Sequence, residues 1–540
     1  MSIAVILRIC GIRWGLPNEM HFYSYHPDEN MVLAAATRVD VLNGRLDPGF
    51  YNYGSLFIFI VSIGIVVATM TGWVNLNWDD LGANISQVSN LYLTGRIAAV
   101  LMGIATVYFV YVLGRKAYGR RVGMLAALFM GILPIHVMHS KFMAVDVPST
   151  MLATVALIFA IRLSEGCRLR DYIFAGIFAG LAAGTKYNAG LVLIAPFVMH
   201  LYYSKVCPVY RLVDPKLYGM IGCAVIGFIL GTPGILINQS GFINDFMFEI
   251  NHAKTGHGLV FTDTGSGYLY HLIHSLLPGM GLPLLILTII SIIYALKKHQ
   301  SVDIAFFSLI GVYYLIIGAA QVRFARYTIF MLPVLTLFAA RMTIELYDRL
   351  SESKTASGAL RKALTAFLVL ITGYTLLYSA SLNKVMTSRD TRDTSITWIR
   401  ENITQGTSIG LPMIPWFYTP PFYPDMGIPV VADERLQHAQ DFTDYQLVLS
   451  SQDEWDGEYL KRESPDYVVI SSFEAVDRLR IGDASALGYY KVLTDDYDVK
   501  QDFTSSPRLF GIRMPLPVKL PHDMSYPSPE IIIYARKGVE

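Results

Sequence analysis

Two groups of side chains in this sequence could do chemistry together. The first is acidic: Asp28 and Glu29 in Tyr25-His26-Pro27-Asp28-Glu29-Asn30, and Asp146 in His139-Ser140-Lys141-Phe142-Met143-Ala144-Val145-Asp146-Val147-Pro148. A carboxylate held beside a hydroxyl or amine can take its proton and make it nucleophilic. Neighbouring helical residues diverge by about 100°, so only one of Asp28 and Glu29 can face a given acceptor. The second group is basic: Lys141, Lys186, Lys254, Arg323 and Arg326. Arg323 and Arg326, in Gln321-Val322-Arg323-Phe324-Ala325-Arg326-Tyr327, are three apart and on a helix would share a face, a forked and permanently charged grip suited to phosphate. A proton acceptor on one side and phosphate-binding cations on the other would suit a displacement whose leaving group is a phosphate.

Each of these residues also has a purely structural reading. Pro27 followed by two acids is how many helices begin, since proline suits the first turn and carboxylates favour the positive end of the dipole. Asp146 ahead of Pro148 reads the same way, and lysines or arginines near a membrane surface can simply reach its headgroups. The segment 238–277 holds Glu249, His252, Lys254, His257, Asp263, His271 and His274, but His252 and His257 are five apart and match no compact zinc motif. These histidines fit substrate contact better than metal, so no metal ligand is assigned.

The elements that must position these groups follow from composition. The 540 residues are 53% hydrophobic and 16% charged, against roughly 45–50% and 25% for soluble domains, which points to many membrane spans. Apolar segments of spanning or near-spanning length run at 91–114, 122–138, 147–163, 172–185, 189–203, 217–237, 278–296, 303–320, 327–345 and 362–382. A shortened apolar stretch from Met1 to Ile12 makes about eleven; with no small-residue cleavage site after it, it reads as a truncated first span rather than a signal peptide. The short connections rich in Lys and Arg (115–121, 162–170, 205–216, 297–298, 349–362) all fall on one side when eleven spans are threaded, and the positive-inside rule makes that side cytoplasmic. Residues 13–90, the loop 238–277 and the C-terminal tail are then expected outside, with every candidate residue. Net charge is +1, and no dense basic run suggests nucleic acid.

Three segments break the pattern. Tyr53 to Gly72 is apolar, yet the stretch after it, Trp73 to Asn90, has no Lys or Arg and carries Asp79-Asp80, so Tyr53 to Gly72 is expected to lie at the interface or re-enter. The pair 172–185 and 189–203 is too short for hydrocarbon about 30 Å thick, which puts Thr185-Lys186-Tyr187-Asn188 below the outer surface, where a lysine needs a partner or a wet cavity. From about 385 the chain reads as a soluble α/β domain, with a short amphipathic helix over 390–402, strands at 408–411, 445–450, 467–471, 490–493 and 531–535, and an ordered loop at Pro415 to Pro429. Cys10, Cys167, Cys207 and Cys223 all lie in or beside spans and imply no disulfide framework.

The membrane part resembles a family: the GT-C membrane glycosyltransferases of the protein O-mannosyltransferase type, which include the bacterial aminoarabinose transferases that modify lipid A. The pieces that carry the resemblance come in order. They are Gly11-Ile12-Arg13-Trp14-Gly15-Leu16-Pro17 leading to His26-Pro27-Asp28-Glu29, Tyr51-Asn52-Tyr53-Gly54-Ser55-Leu56, Leu113-Gly114-Arg115-Lys116-Ala117-Tyr118-Gly119, His139 to Pro148, Gly180 to Tyr187, and Arg323-Phe324-Ala325-Arg326-Tyr327. Relatives often carry Lys or Pro-Pro where this chain has Tyr51-Asn52-Tyr53, and the tail lies outside the resemblance.

The resemblance implies that 1–384 is a catalytic membrane domain with juxtamembrane helices in the first outer loop, while the extracytoplasmic domain over 385–540 is expected from composition and topology alone. It puts Asp28 in the place of the catalytic base with Glu29 beside it, and Asp146 in that of the second outer acid. Lys186, Arg323 and Arg326 fall where the donor phosphate is held, with Tyr327 beside them; apart from the resemblance, His26, Tyr53, His252 and His257 are read as substrate-loop residues. The reaction implied is inverting transfer of a sugar from a polyprenyl-phosphate donor to a protein, lipid or glycan acceptor, outside a prokaryotic cell (inner) membrane, with no cofactor assigned and a divalent metal unsupported. The rival from another class is a secondary transporter with an extracytoplasmic sensor domain, since membrane-embedded charge also marks transport pathways. Against it, the two halves show no repeat at corresponding positions.

Overall fold

Helices are the economical form for apolar runs of this length, because hydrocarbon offers the backbone no hydrogen-bond partners. In a computed structural model of the chain, residues 1–77, 84–352, 358–422, 432–450 and 453–539 are described. Asp79-Asp80, Lys354 and the end of the proline-rich run lie outside them. Among the described residues, six helical segments are long and apolar enough to cross a membrane: Ile85–Tyr118, Asp146–Glu165, Pro208–Gly231, Ser301–Ala319, Ala325–Glu352 and Gly358–Asn402. The other expected spans are helical too, but shorter or broken: Ser2–Ile9, Arg120–Ile132 with Pro134–His139, Leu169–Ala183, Ile194–Tyr203 and Leu282–Lys297. The chain is an integral membrane protein with a polytopic helical domain. Leu56–Met70 is apolar but only 15 residues long, about 22 Å at 1.5 Å per residue, short of the hydrocarbon core.

The two ends of the bundle separate the two kinds of connection. At one end Lys116 meets Glu165 at 3.0 Å and Arg121 pairs with Asp348, which draws the basic loops together. Twenty residues earlier on the same helix as Lys116, about 30 Å away along its axis, Arg96 binds Glu29. Asp28, Glu29, Asp146, Lys186 and Arg326 gather at this second end.

Close backbone packing holds that end. Gly180 faces the neighbouring helix Pro215–Gly231 so tightly that a Cβ would lie 2.0 Å from Ala224 O, the small-residue contact expected where helices meet in lipid. Gly54 is packed as tightly against the turn that carries Lys186, with a Cβ position 2.0 Å from Gly184 O. The same Gly184 carbonyl accepts from Leu56 N at 3.0 Å and Thr232 Oγ1 at 3.2 Å. Gly54→Ala is therefore expected to destabilise the protein by about 1–3 kcal/mol, read as a lower thermal transition in detergent; an unchanged transition would refute this close approach.

The tail folds around a five-stranded mixed sheet in the order Gln446–Val448, Ser408–Gly410, Tyr467–Ser471, Ile531–Arg536, Tyr497–Phe503. The first three strands run parallel and the last two pair antiparallel. Tyr467–Ser471 is buried at every position, as befits a strand covered on both faces. One face packs Ile396 and Ile399 of the helix Thr391–Asn402, and the other packs Trp455, Leu460 and Leu493. The strand expected at 490–493 is instead part of the helix Ala484–Asp496. Its buried residues Ala486, Tyr489 and Leu493 follow helical spacing, and Asp483 caps its start by accepting from Ala486 N at 3.0 Å. The strand Tyr497–Phe503 comes directly after it.

Candidate active site

The site begins with how the first loop is pinned. His26 precedes the helix Pro27–Arg38, and its Nδ1 accepts from Asp28 N at 3.3 Å. Its ring is buried against Phe142 and Tyr526, at centroid distances of 4.4 and 5.1 Å. Glu29 points into the protein: Arg96 Nε and Nη2 donate to its two oxygens at 2.8 and 2.7 Å, Met143 N donates at 2.7 Å, and Ser24 Oγ completes the set. Asp28, one residue away, turns the other way and keeps 23% of its side-chain surface open where Glu29 keeps none. The divergence of adjacent helical residues thus separates the pair, with Asp28 the member that faces open space.

Opposite Asp28 stands Arg326, with Nη1 2.8 Å from Asp28 Oδ2 and its guanidinium over the Phe324 ring at 4.2 Å. A second ion pair, Lys186 Nζ to Asp146 Oδ1 at 2.5 Å, lies alongside, and Lys186 also sits 4.5 Å above the Tyr327 ring. The short helix pair around Lys186 is present as expected, with the lysine in the turn between Leu169–Ala183 and the 3-10 segment Tyr187–Leu193. Tyr187 donates to the carbonyls of Tyr51 and Tyr53 at 2.6 and 3.1 Å, tying the lysine turn to the first loop.

Arg323 is placed differently from expectation. Residues 322–324 are not helical, and the 3-10 segment begins only at Ala325, so Arg323 and Arg326 share no helical face. Arg323 Nη1 donates to Thr264 Oγ1 at 2.8 Å and Gly265 O at 2.7 Å, fastening the segment that follows the helix Gln239–Thr255. Lys141 also points elsewhere: it is buried against Asn383 and, at 3.5 Å, Met386 Sδ. His252 Nε2 lies 2.9 Å from His257 Nδ1, and Glu249 is 3.9 Å from His252. Among the described residues no group of three or more His, Cys, Asp or Glu side chains is arranged to hold a metal ion.

Electrostatics link these groups. Burial acts to raise the Asp28 carboxyl, but Arg326, His26, His257 and Lys186 outweigh it and hold the carboxyl below its ordinary value. Burial, with the His252 and Arg326 charges, pushes His257 down to about 4, so it is neutral at physiological pH. Tyr53 is raised well above its usual value, by burial first and then by the Asp28 charge, and keeps its proton.

Several residues of the site were not foreseen. Tyr418, His522 and Tyr526, from the tail, lie close enough to Asp28 and Arg326 to feel both charges. Asp523, fully buried, accepts from Ala325 N at 3.0 Å and Arg326 N at 2.8 Å. The sequence carries one signal for Arg96, the lone charge in the apolar run 91–114. It carries none for the tail residues, which sit in turns and in the single-turn helix His522–Ser525, too short to show periodicity.

Residues 81–232 match the family described as dolichyl-phosphate-mannose-protein mannosyltransferase. No curated protein matches the chain in sequence. Among solved structures it is similar to the Archaeoglobus fulgidus oligosaccharyltransferase AglB in complex with an inhibitory peptide and a dolichol-phosphate, at 12% identity over 98% of this chain and 76% of that one, with a TM-score of 0.48. ArnT from Cupriavidus metallidurans bound to undecaprenyl phosphate is similar at 12% identity over 98% and 96%, with a TM-score of 0.47. The arabinofuranosyltransferase AftD from Mycobacteria is similar at 13% identity over 99% and 41%, with a TM-score of 0.39. The family match takes in three of the six ordered pieces, those at 113–119, 139–148 and 180–187, so that over residues 81–232 the chain is similar to the membrane glycosyltransferases of the protein mannosyltransferase type.

Proposed function

We propose that the chain moves a sugar from a polyprenyl-phosphate donor to an acceptor hydroxyl or amine, with inversion, on the extracytoplasmic side of a prokaryotic cell membrane. The observation that carries this reading is the pairing of Asp28 with Arg326 and Asp146 with Lys186 at one end of the bundle, opposite the basic loops. The acceptor oxygen or nitrogen attacks the anomeric carbon and gives its proton to Asp28. The bond from that carbon to the phosphate oxygen breaks, and its electron pair leaves with the polyprenyl phosphate. Lys186 and Arg326 stabilise the negative charge that develops there, from a site largely closed to water. Because phosphate is a good leaving group, no strong general acid is required. Arg323 acts at one remove, by fastening the loop that carries His257.

The test is release of polyprenyl phosphate from a labelled polyprenyl-phosphate sugar by purified protein in nanodiscs. Lys186→Met is expected to raise the donor KM by about 10–100-fold, the worth of one charge-assisted hydrogen bond. No release with any polyprenyl-phosphate sugar, together with ion-coupled solute uptake in vesicles, would replace this reading with the transporter one.

A further inference from the structure

We infer that Asp523, a residue of the C-terminal domain, is a positioning residue for the donor-phosphate site, acting through the backbone of Arg326. The inference rests on the donor reading above and extends it to the tail, which neither the sequence motifs nor the family match covers.

The geometry is specific. Both Asp523 carboxylate oxygens are used on the first two residues of the 3-10 segment Ala325–Met331, accepting from Ala325 N and Arg326 N at 3.0 and 2.8 Å. The first N–H groups of a helical segment have no partner inside it, and an anion is the strongest acceptor for them. Asp523 therefore decides where that segment starts, and so from which point Arg326 reaches toward Asp28. Its Oδ2 also lies 3.8 Å from His139 Nε2, in the connection that leads to Asp146.

The support behind Asp523 runs to the other side of the same ion pair. Three residues on, Tyr526 O accepts from Arg392 Nη2 at 2.9 Å, and Arg392 is itself bound to Asp390 by Nε and Nη2, each at 2.8 Å. The Arg392 guanidinium stacks 3.7 Å over the Tyr25 ring, and Tyr25 donates to Asp393 at 2.5 Å. Trp14 Nε1 donates to Asp390 at 3.0 Å. One domain thus grips the loop that presents Asp28 and the turn that presents Arg326. A displacement of about 1 Å between such groups is enough to change a rate by about 100-fold.

The test uses the full-length protein in detergent, with undecaprenyl phosphate as the binding probe and the donor KM and kcat as kinetic readouts. Asp523→Ala is expected to weaken probe binding and raise the donor KM by at least about tenfold. Asp523→Asn, which preserves size and one acceptor oxygen and is the variant least disturbing to the fold, is expected to fall between it and wild type. Since Asp523 acts through Arg326, the double variant Asp523→Ala/Arg326→Ala should bind the probe no more weakly than Arg326→Ala alone, whereas a general loss of structure would add to it. If wild type binds the probe and Asp523→Asn binds equally well with unchanged donor KM, or if the losses in the double variant multiply, the inference is wrong while the donor reading stands. If wild type does not bind the probe at all, the donor reading falls and takes this inference with it.

Discussion

Asp28→Asn is expected to lower sugar transfer by about 10²–10⁴-fold, the range set by loss of a general base, while binding of polyprenyl phosphate survives. Asparagine keeps the shape of the side chain and an oxygen for Arg326, which stands 2.8 Å away, but it cannot take a proton at neutral pH. Full turnover in this variant would remove Asp28 from the mechanism. The pH profile gives a second, independent reading. The free carboxyl is held below its ordinary 3.8, because Arg326 leads the charges that outweigh burial. Its basic form is therefore fully present above that value and is lost only as the pH falls through a lower one. A carboxylate so stabilised is a weak base. A donor phosphate that draws Arg326 to itself removes the largest of those stabilising charges and raises the proton affinity of Asp28. Profiles measured against donor, which report the free enzyme, should hold to lower pH than kcat, which reports the bound complex. Coincident acid limbs would mean that Arg326 does not leave Asp28 when donor binds.

Much of this arrangement was legible in the sequence, and the part that was not has identifiable causes. Span positions follow from apolar runs, and the gathering of the basic loops at one end of the bundle from the charge of the short connections, because both depend on local composition. The Lys186 turn was legible for the same reason: the two apolar runs on either side of it are each too short to span. Choosing between Asp28 and Glu29 was beyond local rules, since periodicity says only that they diverge, and the partner that claims Glu29 is Arg96, 67 residues away. The spacing of Arg323 and Arg326 suggested one helical face. The structure starts the helical segment after Arg323, where Asp523 caps it from almost 200 residues further along the chain, at separations of 198 and 197. In the tail, short strand-like runs were readable, but the aromatic and aliphatic residues at 490–493 suit a strand or a helix equally, and burial at helical spacing from Ala486 to Leu493 decides for the helix. The feature that escapes the sequence is thus the long-range hydrogen bond to a buried charge, on which the site depends most.

The largest stability effect is expected at the buried pair that holds Asp28 in place. All five Arg96 donors are used: Nε and Nη2 on Glu29, Nη1 on Ile12 O and Trp14 O at 2.7 and 2.6 Å, and Nη2 also on Ser24 Oγ at 3.2 Å. Neither side chain has any exposed surface. Removing one partner of such a pair leaves an uncompensated charge inside the protein, at about 3–5 kcal/mol. Arg96→Met should reach the upper end, because it strands the two carbonyls as well as Glu29. Glu29→Gln, which keeps its shape, should lie at the lower end. Thermal unfolding in detergent measures both. The sign of the pH dependence comes from Glu29: burial would raise its carboxyl, but the charge and hydrogen bonds of Arg96 hold it below the ordinary 4.5. The pair therefore contributes its full stability above the unfolded value of about 4.5 and loses it as the pH falls through the lower folded one. Wild type should melt progressively earlier over that acid range, and Glu29→Gln should lose that part of the dependence. If Glu29→Gln instead melts with wild type at neutral pH, the carbonyl contacts of Arg96 suffice to hold the loop, and Glu29 returns beside Asp28 as a candidate for the base.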